Sequence, residues 1–244
     1  MAGALGGALN AVAGGGSFIA FPALLFTGVA PISANATNTV ALWVGVTAST
    51  GAYRKHLELS KRVMIPLAVT SVIGGIAGAY LLLHTPAQTF LRVLPWLMLG
   101  ATLLFVFGAR LSHSNEGLEH DISTSGLVFA SIFELVVAVY GGYFGGGVGI
   151  LNLAMLAVIG MTDIHAMNAL KVVLGGIING VAVVTFIVKG AVVWKQGTVM
   201  ILGALVGGYL GAHYAQKLPP AWIRGFVIVV GTGMTVYFFW KAYR

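Results

Sequence analysis

The chain has 244 residues, 58% hydrophobic and 8% charged, with 13 Lys and Arg against 6 Asp and Glu and no cysteine. A soluble domain carries about 25% charge, so the composition excludes a water-soluble globule, and the missing cysteine excludes disulfides, thiolate metal sites and iron–sulfur clusters. The net charge of +7 would suggest nucleic acid in a soluble protein, but these basic residues lie mostly between apolar stretches, where they set membrane topology.

A spanning helix needs about 20 apolar residues. Eight stretches approach or exceed that length: Gly3 to Val29, Ala34 to Tyr53, Val63 to Leu83, Val93 to Ala109, Thr124 to Ile159, Ile164 to Val188, Thr198 to Tyr214 and Ile223 to Trp240. They predict an all-α, polytopic membrane protein of about eight transmembrane or half-membrane segments. The first does not read as a cleaved signal peptide, because no basic residue precedes it and a glycine run follows at once.

That run, Gly14 to Gly16 in "NAVAGGGSFIAFPALL", returns 131 residues later as Gly145 to Gly147 in "VYGGYFGGGVGILNLAML". Each glycine in a helix interior costs roughly 1 kcal/mol against alanine, so three together predict a broken helix. Other pairs follow in the same order. "PISANATNTVAL" is answered by "TDIHAMNALKVVL", "GGIAGAYL" at Gly74 by "GALVGGYL" at Gly203, and "FLRVLPWL" by "WIRGFVIV". The chain therefore reads as two homologous halves, residues 1–111 and 124–244, joined by an acidic loop at 112–123. Only thirteen residues precede the first glycine run, against about twenty apolar or small ones from Thr124 to the second. Either the first arm is shorter or translation starts upstream of Met1.

Two topologies follow. With eight crossings the halves are parallel, and nine basic residues share one face against three on the other. However, Thr124 to Ile159 is 36 residues, about 54 Å of continuous helix against a hydrocarbon layer near 30 Å. If each glycine run is the tip of a re-entrant hairpin, each half keeps three full crossings, the halves are inverted, and the basic residues split seven to five. Charge counting favours the parallel arrangement and segment length the inverted one. An inverted repeat is expected, because an odd number of crossings per half makes alternating access simple to build.

The polar residues that follow the breaks are the candidate binding groups. Consecutive glycines can turn successive N–H groups toward an anion, or they can simply let helices pack closely. The stripes at Gly74 and Gly203, spaced by four, fit close packing better. Asn35, Asn38 and Thr39 share a helical face, and His165, Asn168 and Lys171 recur at intervals of three after the second run. A lysine there supplies a point charge for an anion, although its long stem could also snorkel to the interface. Asn179 lies two turns deeper. Glu134, in "SIFELVVAVY", is the acidic residue well inside an apolar stretch, where an unpaired charge is costly. It reads as a proton-coupling group, a partner for Lys171, or a residue at a watery edge. Asp163 reads as a helix cap. No HExxH, Walker or GxSxG pattern is present and the histidines do not cluster, so no enzyme, metal or cofactor is read from the chain.

The doubled motif, "AVAGGGSFIAFPALLFTGVAPISANATNTVAL" with "GGYFGGGVGILNLAML" and "NALKVVLGGIINGVAVVTFIVKGAVVW", resembles the TauE/SafE family of bacterial membrane transporters over nearly the whole chain. The resemblance implies an inner-membrane secondary transporter that exports sulfite, sulfoacetate or related sulfur anions, with protons as a possible coupling ion. The family's glycine motifs fall on Gly14, Gly15 and Gly16 and on Gly145, Gly146 and Gly147, and its small and hydroxyl run falls on Asn38 and Thr39. Two departures stand out. Leu153 replaces the proline that Pro22 supplies in the first half, and Lys171 takes the position of Thr39. The alternatives are an anion channel on the same scaffold and a non-transporting membrane subunit. Oligomeric state is open.

Overall fold

A computed structural model describes residues 1–13, 15–49, 61–111, 123–161, 164–214 and 220–244. Ten helices are seen among them: α1 (Ala2–Ala13), α2 (Ser17–Phe26), α3 (Pro31–Ser49), α4 (Lys61–His84), α5 (Ala87–Leu111), α6 (Thr124–Tyr143), α7 (Val148–Val158), α8 (Ile164–Val188), α9 (Trp194–Tyr214) and α10 (Pro220–Tyr243). Eight predicted segments became ten helices because the first and fifth are each divided at a glycine run. Five helices, α4, α5, α6, α8 and α10, contain stretches long and apolar enough to cross a bilayer. By contrast α2 and α7 have 10 and 11 residues, about 15 to 17 Å at 1.5 Å per residue, or half the hydrocarbon layer.

Both short helices fold back. A Cβ on Gly16 would meet Asn10 and the Gly6 carbonyl, and one on Gly6 would meet Ala20. Numbers that fall along α1 as they rise along α2 mean that α2 returns beside α1. In the same way Val148 lies against Gly141, Leu151 joins the cluster that holds Phe133 and Val137, and Met155 and Leu156 share the cluster of Ala130. The 36-residue segment is thus an antiparallel hairpin, α6 then α7. Ser123 starts it as N-cap, accepting from Gly126 N at 3.0 Å, which satisfies one of the N–H groups a helix start leaves open.

Close glycine contacts fix the remaining directions. Along α4 and α6, Ser71 meets Glu134, Gly74 meets Ala138, and a Cβ on Gly78 would meet the Val139 carbonyl. Numbers rise together, so the two helices are parallel. By the same reasoning α9 runs parallel to α1, through Gly3 with Met200 and Ala8 with Gly211, and parallel to α3, through Thr37 with Gly197 and Gly45 with Ala204. Ile178 against Gly141, with Met167 in the cluster of Ala130, sets α8 parallel to α6. Residues 189–193 join α8 to α9, turning at Gly190 with φ of 65°. Five residues cannot recross a 25-residue helix, so α8 and α9 are antiparallel. Hence α4, α6 and α8 run one way and α1, α3 and α9 the other.

The pairings are α4 with α6 and α1 with α9, α4 with α8 and α3 with α9, and α5 with α10. Exchanging the first five helices for the last five maps this set onto itself. The stripes at Gly74 and Gly203 make the closest of these contacts, as small residues do where apolar lipid offers no hydrophobic drive for association. Trp96, Trp194, Trp240 and Tyr243 are exposed near one end of the bundle, where Trp96 Nε1 donates to Tyr243 Oη at 2.9 Å and Tyr243 Oη to the Arg92 carbonyl at 3.1 Å. Amphipathic aromatics favour such interfacial positions.

Candidate functional site

The two hairpin tips meet at α3. Asn38 Nδ2 donates to Ser17 Oγ, at the start of α2, at 3.1 Å. One turn earlier, Asn35 Nδ2 donates to the Tyr143 carbonyl, at the end of α6, at 3.0 Å. Both asparagines are 1% exposed, and Thr39 Oγ1 donates back to the Asn35 carbonyl at 2.9 Å. The predicted polar face of α3 therefore holds one tip with each asparagine. Helix α5 touches both tips too. Phe105 packs on Phe18, and Ala101 and Leu104 approach Gly146 and Gly147.

The two glycine runs are not alike in backbone. Gly145 and Gly147 have φ of 84° and 80°, in the left-handed region that disfavours a side chain. Between them Gly146 accepts at its carbonyl from Tyr140 Oη at 2.6 Å. Left-handed residues beside a helix start turn N–H groups outward together, and those of Val148 and Gly149 open α7. In the first run Gly16 has φ of −58°, and a Cβ there would strike α1, while one on Gly15 would strike Val227 of α10. Gly15 and Gly16 thus serve close approach. The sequence repeat conceals this difference, since the same three letters satisfy either demand.

Lys171 and Asn179 converge on the second tip. The Lys171 stem lies along Gly149, in the first turn of α7, and Asn179 Oδ1 lies beside Gly145 while its Nδ2 donates to the Gly175 carbonyl at 2.9 Å. Lys171 is accordingly packed on the hairpin. Glu134 departs from two of its three readings. It is fully buried, which removes the watery edge, and its Oε1 accepts from Ser71 Oγ of α4, not from Lys171. The physical reason is helix facing: Glu134 lies on the stripe of α6 that packs on α4. Gly14, Asp163 and the loop 112–122 lie outside the described residues, as do the side chains of His165 and Asn168.

One polar residue escaped the sequence reading. Asn152 of α7 is fully buried, and neither its amide oxygen nor its nitrogen has a partner. It lies one turn beyond Gly149, on the side of the hairpin that Lys171 covers. An asparagine inside "GILNLAML" was the available signal, because a buried amide left unpaired is costly. A cavity of about 410 Å³ also borders this tip, lined by Trp96, Leu104, Tyr140 and Leu151 among others. Its walls are apolar and Trp96 opens it outward, so it suits an acyl chain and not an ion. Among the described residues no three His, Cys, Asp or Glu gather to hold a metal.

A family model described as sulfite exporter TauE/SafE matches residues 1–238. The chain belongs to the TauE/SafE family. Relatives of this TauE/SafE chain are named as probable membrane transporter proteins. ORF9 of Sinorhizobium sp is 26% identical over 233 residues, covering 95% of this chain and 87% of its own. A Haemophilus influenzae protein is 28% identical over 93% and 88% of the two chains, and YfcA of Escherichia coli K12 is 28% identical over 95% and 84%. No solved structure gave a significant match. Family and helices together make this a multi-pass bacterial membrane transporter.

Proposed function

We propose that this TauE/SafE protein is a secondary transporter that exports a small anion, sulfite or a related organosulfur anion, through the meeting point of its two hairpin tips. The observation that carries the reading is the pair of bonds from α3, Asn38 to the first tip and Asn35 to the second. They bring the two tips within one helical turn of each other along α3, at the start of α2 and at the end of α6, which α7 follows after the second glycine run. Helix starts carry partial positive charge and free N–H groups, which receive an anion. Lys171 adds a full charge beside the second tip, and Asn152 and Asn179 supply amides. His165 and Asn168 sit at the start of α8, whose Met167 shares a cluster with Ala130 and Met155 away from the tip, so they are proposed to line the approach to the site.

Residues 1–111 and 124–244 are the two repeats, inverted in the membrane and rocking about the tips. Arg54, Lys55, Lys61, Arg62, Arg110, Lys217 and Arg224 then share the richer face, which the positive-inside bias puts in the cytoplasm. The chain has no cysteine, so single introduced thiols report topology directly. Lys61→Cys and Lys189→Cys, both at exposed positions, are expected to react with an impermeant reagent from opposite sides of the membrane. Parallel halves would put them on the same side.

The transport reading is tested in sealed liposomes with labelled sulfite beside sulfate, thiosulfate and sulfoacetate, with and without an imposed pH gradient. Saturable uptake of one sulfur anion is expected. A response to the gradient, lost in Glu134→Gln, assigns proton coupling to Glu134. Linear, non-saturating flux would indicate a channel, and no flux in vesicles holding folded protein would remove sulfur anions as the substrate.

A further inference from the structure

We infer that the meeting point of the tips also carries a monovalent-cation site, with the amide oxygens of Asn35 and Asn38 as its side-chain ligands. This deepens the reading above and rests on the tips being the transport site. Each asparagine gives its amide nitrogen away, to the Tyr143 carbonyl or to Ser17 Oγ. Each then leaves its amide oxygen buried with no partner. For Asn35 the orientation is forced, because a carbonyl only accepts and so must face the amide nitrogen.

Buried acceptor oxygens do not serve an anion, whose own oxygens they would repel. They call for a cation or a donor. Thr39, on the same face and nearly buried, has committed its hydrogen to the Asn35 carbonyl, so its oxygen too is left with lone pairs only. The backbone adds the same sign. A re-entrant tip is the end of one helix as well as the start of the next. The last carbonyls of α1 and α6 therefore lie at the tips, where a helix carries partial negative charge. The first N–H groups of α2 and α7 serve the anion from the same turns.

The charge of the ion follows from the oxygens described at the site, which are neutral. Calcium sites are built largely on carboxylates and magnesium is usually held through one or two. Glu134 is the one side-chain carboxylate among the described residues, and it lies on the face of α6 that packs on α4, where Ser71 bonds its Oε1, nine residues before Tyr143. Neutral amide, hydroxyl and carbonyl oxygens fit an alkali cation. Anion and cation would then cross together as a nearly neutral pair, which lowers the cost of moving either through the low-dielectric interior.

The first test is thermal unfolding of the purified protein in NaCl, KCl and N-methylglucamine chloride at equal ionic strength, without any sulfur anion. Saturable stabilisation by one alkali cation is expected, since a ligand that binds only the folded state raises its stability. Asn35→Ala and Asn38→Ala should weaken that cation's apparent affinity by roughly 10-fold or more, and Asn35→Asp should keep or strengthen it. In liposomes, an inward gradient of the same cation should drive anion uptake. Equal unfolding temperatures of the wild type in all three salts, with uptake indifferent to the cation gradient, would overturn the proposal and leave only water at these oxygens. The wild-type comparison decides even where a variant fails to fold. Anion uptake without cation dependence sinks the cation site alone, whereas cation-dependent stabilisation in a protein that carries none of the sulfur anions sinks the anion reading alone.

Discussion

Lys171→Met is expected to raise the anion concentration needed for half-maximal uptake by roughly 10- to 150-fold, the range that a hydrogen bond to a charged group of about 1.5 to 3 kcal/mol provides. Methionine keeps an aliphatic stem over Gly149, so the change removes charge without opening space in the hairpin. Lys171→Arg keeps the charge but enlarges the head, and should restore part of the affinity if the tip can accommodate a planar guanidinium. Initial rates of labelled-anion uptake across a concentration series provide the measurement. An unchanged concentration dependence in Lys171→Met would remove this lysine from the site and return it to a packing or interfacial role.

Gly142→Ala is expected to destabilise the bundle by about 1 to 3 kcal/mol, whereas Gly100→Ala should be neutral or stabilise by up to about 1 kcal/mol. A Cβ on Gly142 would meet the Gly75 carbonyl and the Ala79 nitrogen of α4, which are backbone atoms and cannot swing aside, while one on Gly100 meets nothing within 4 Å. The consequence reaches the site. Separating α4 from α6 displaces Tyr143, whose carbonyl receives Asn35 at the second tip, so transport should fall with stability. Thermal unfolding in one detergent, followed by uptake, decides the matter. Equal stability of the two variants would mean that α4 and α6 can part enough at Gly142 to admit a methyl group at no cost.

Membrane class, helical content, the break points and the family were legible in the sequence because each depends on short stretches: apolar length, glycine triplets, and a motif that recurs 131 residues on. The opposed directions of the two sets of helices were only half legible. Segment length pointed to a fold-back, and charge counting pointed the other way, since a seven-to-five split is a weak bias. The direction of each helix rests on contacts such as Gly3 with Met200, which no local pattern encodes.

The same divide runs through the site. The sequence by itself placed Asn35, Asn38 and Thr39 on one helix face, because helical spacing is a local rule. It could not choose their partners. Asn35 finds a carbonyl 108 residues away, and Glu134 finds Ser71 at a separation of 63 residues, not Lys171. Nor could it tell that Gly16 admits a neighbouring helix while Gly145 and Gly147 bend the chain, because a missing side chain answers both needs. Asn152 shows the limit most plainly. Its burial and its two unpaired atoms follow from α7 folding back beside α6 and packing on α8, so only the tertiary structure could make it a candidate.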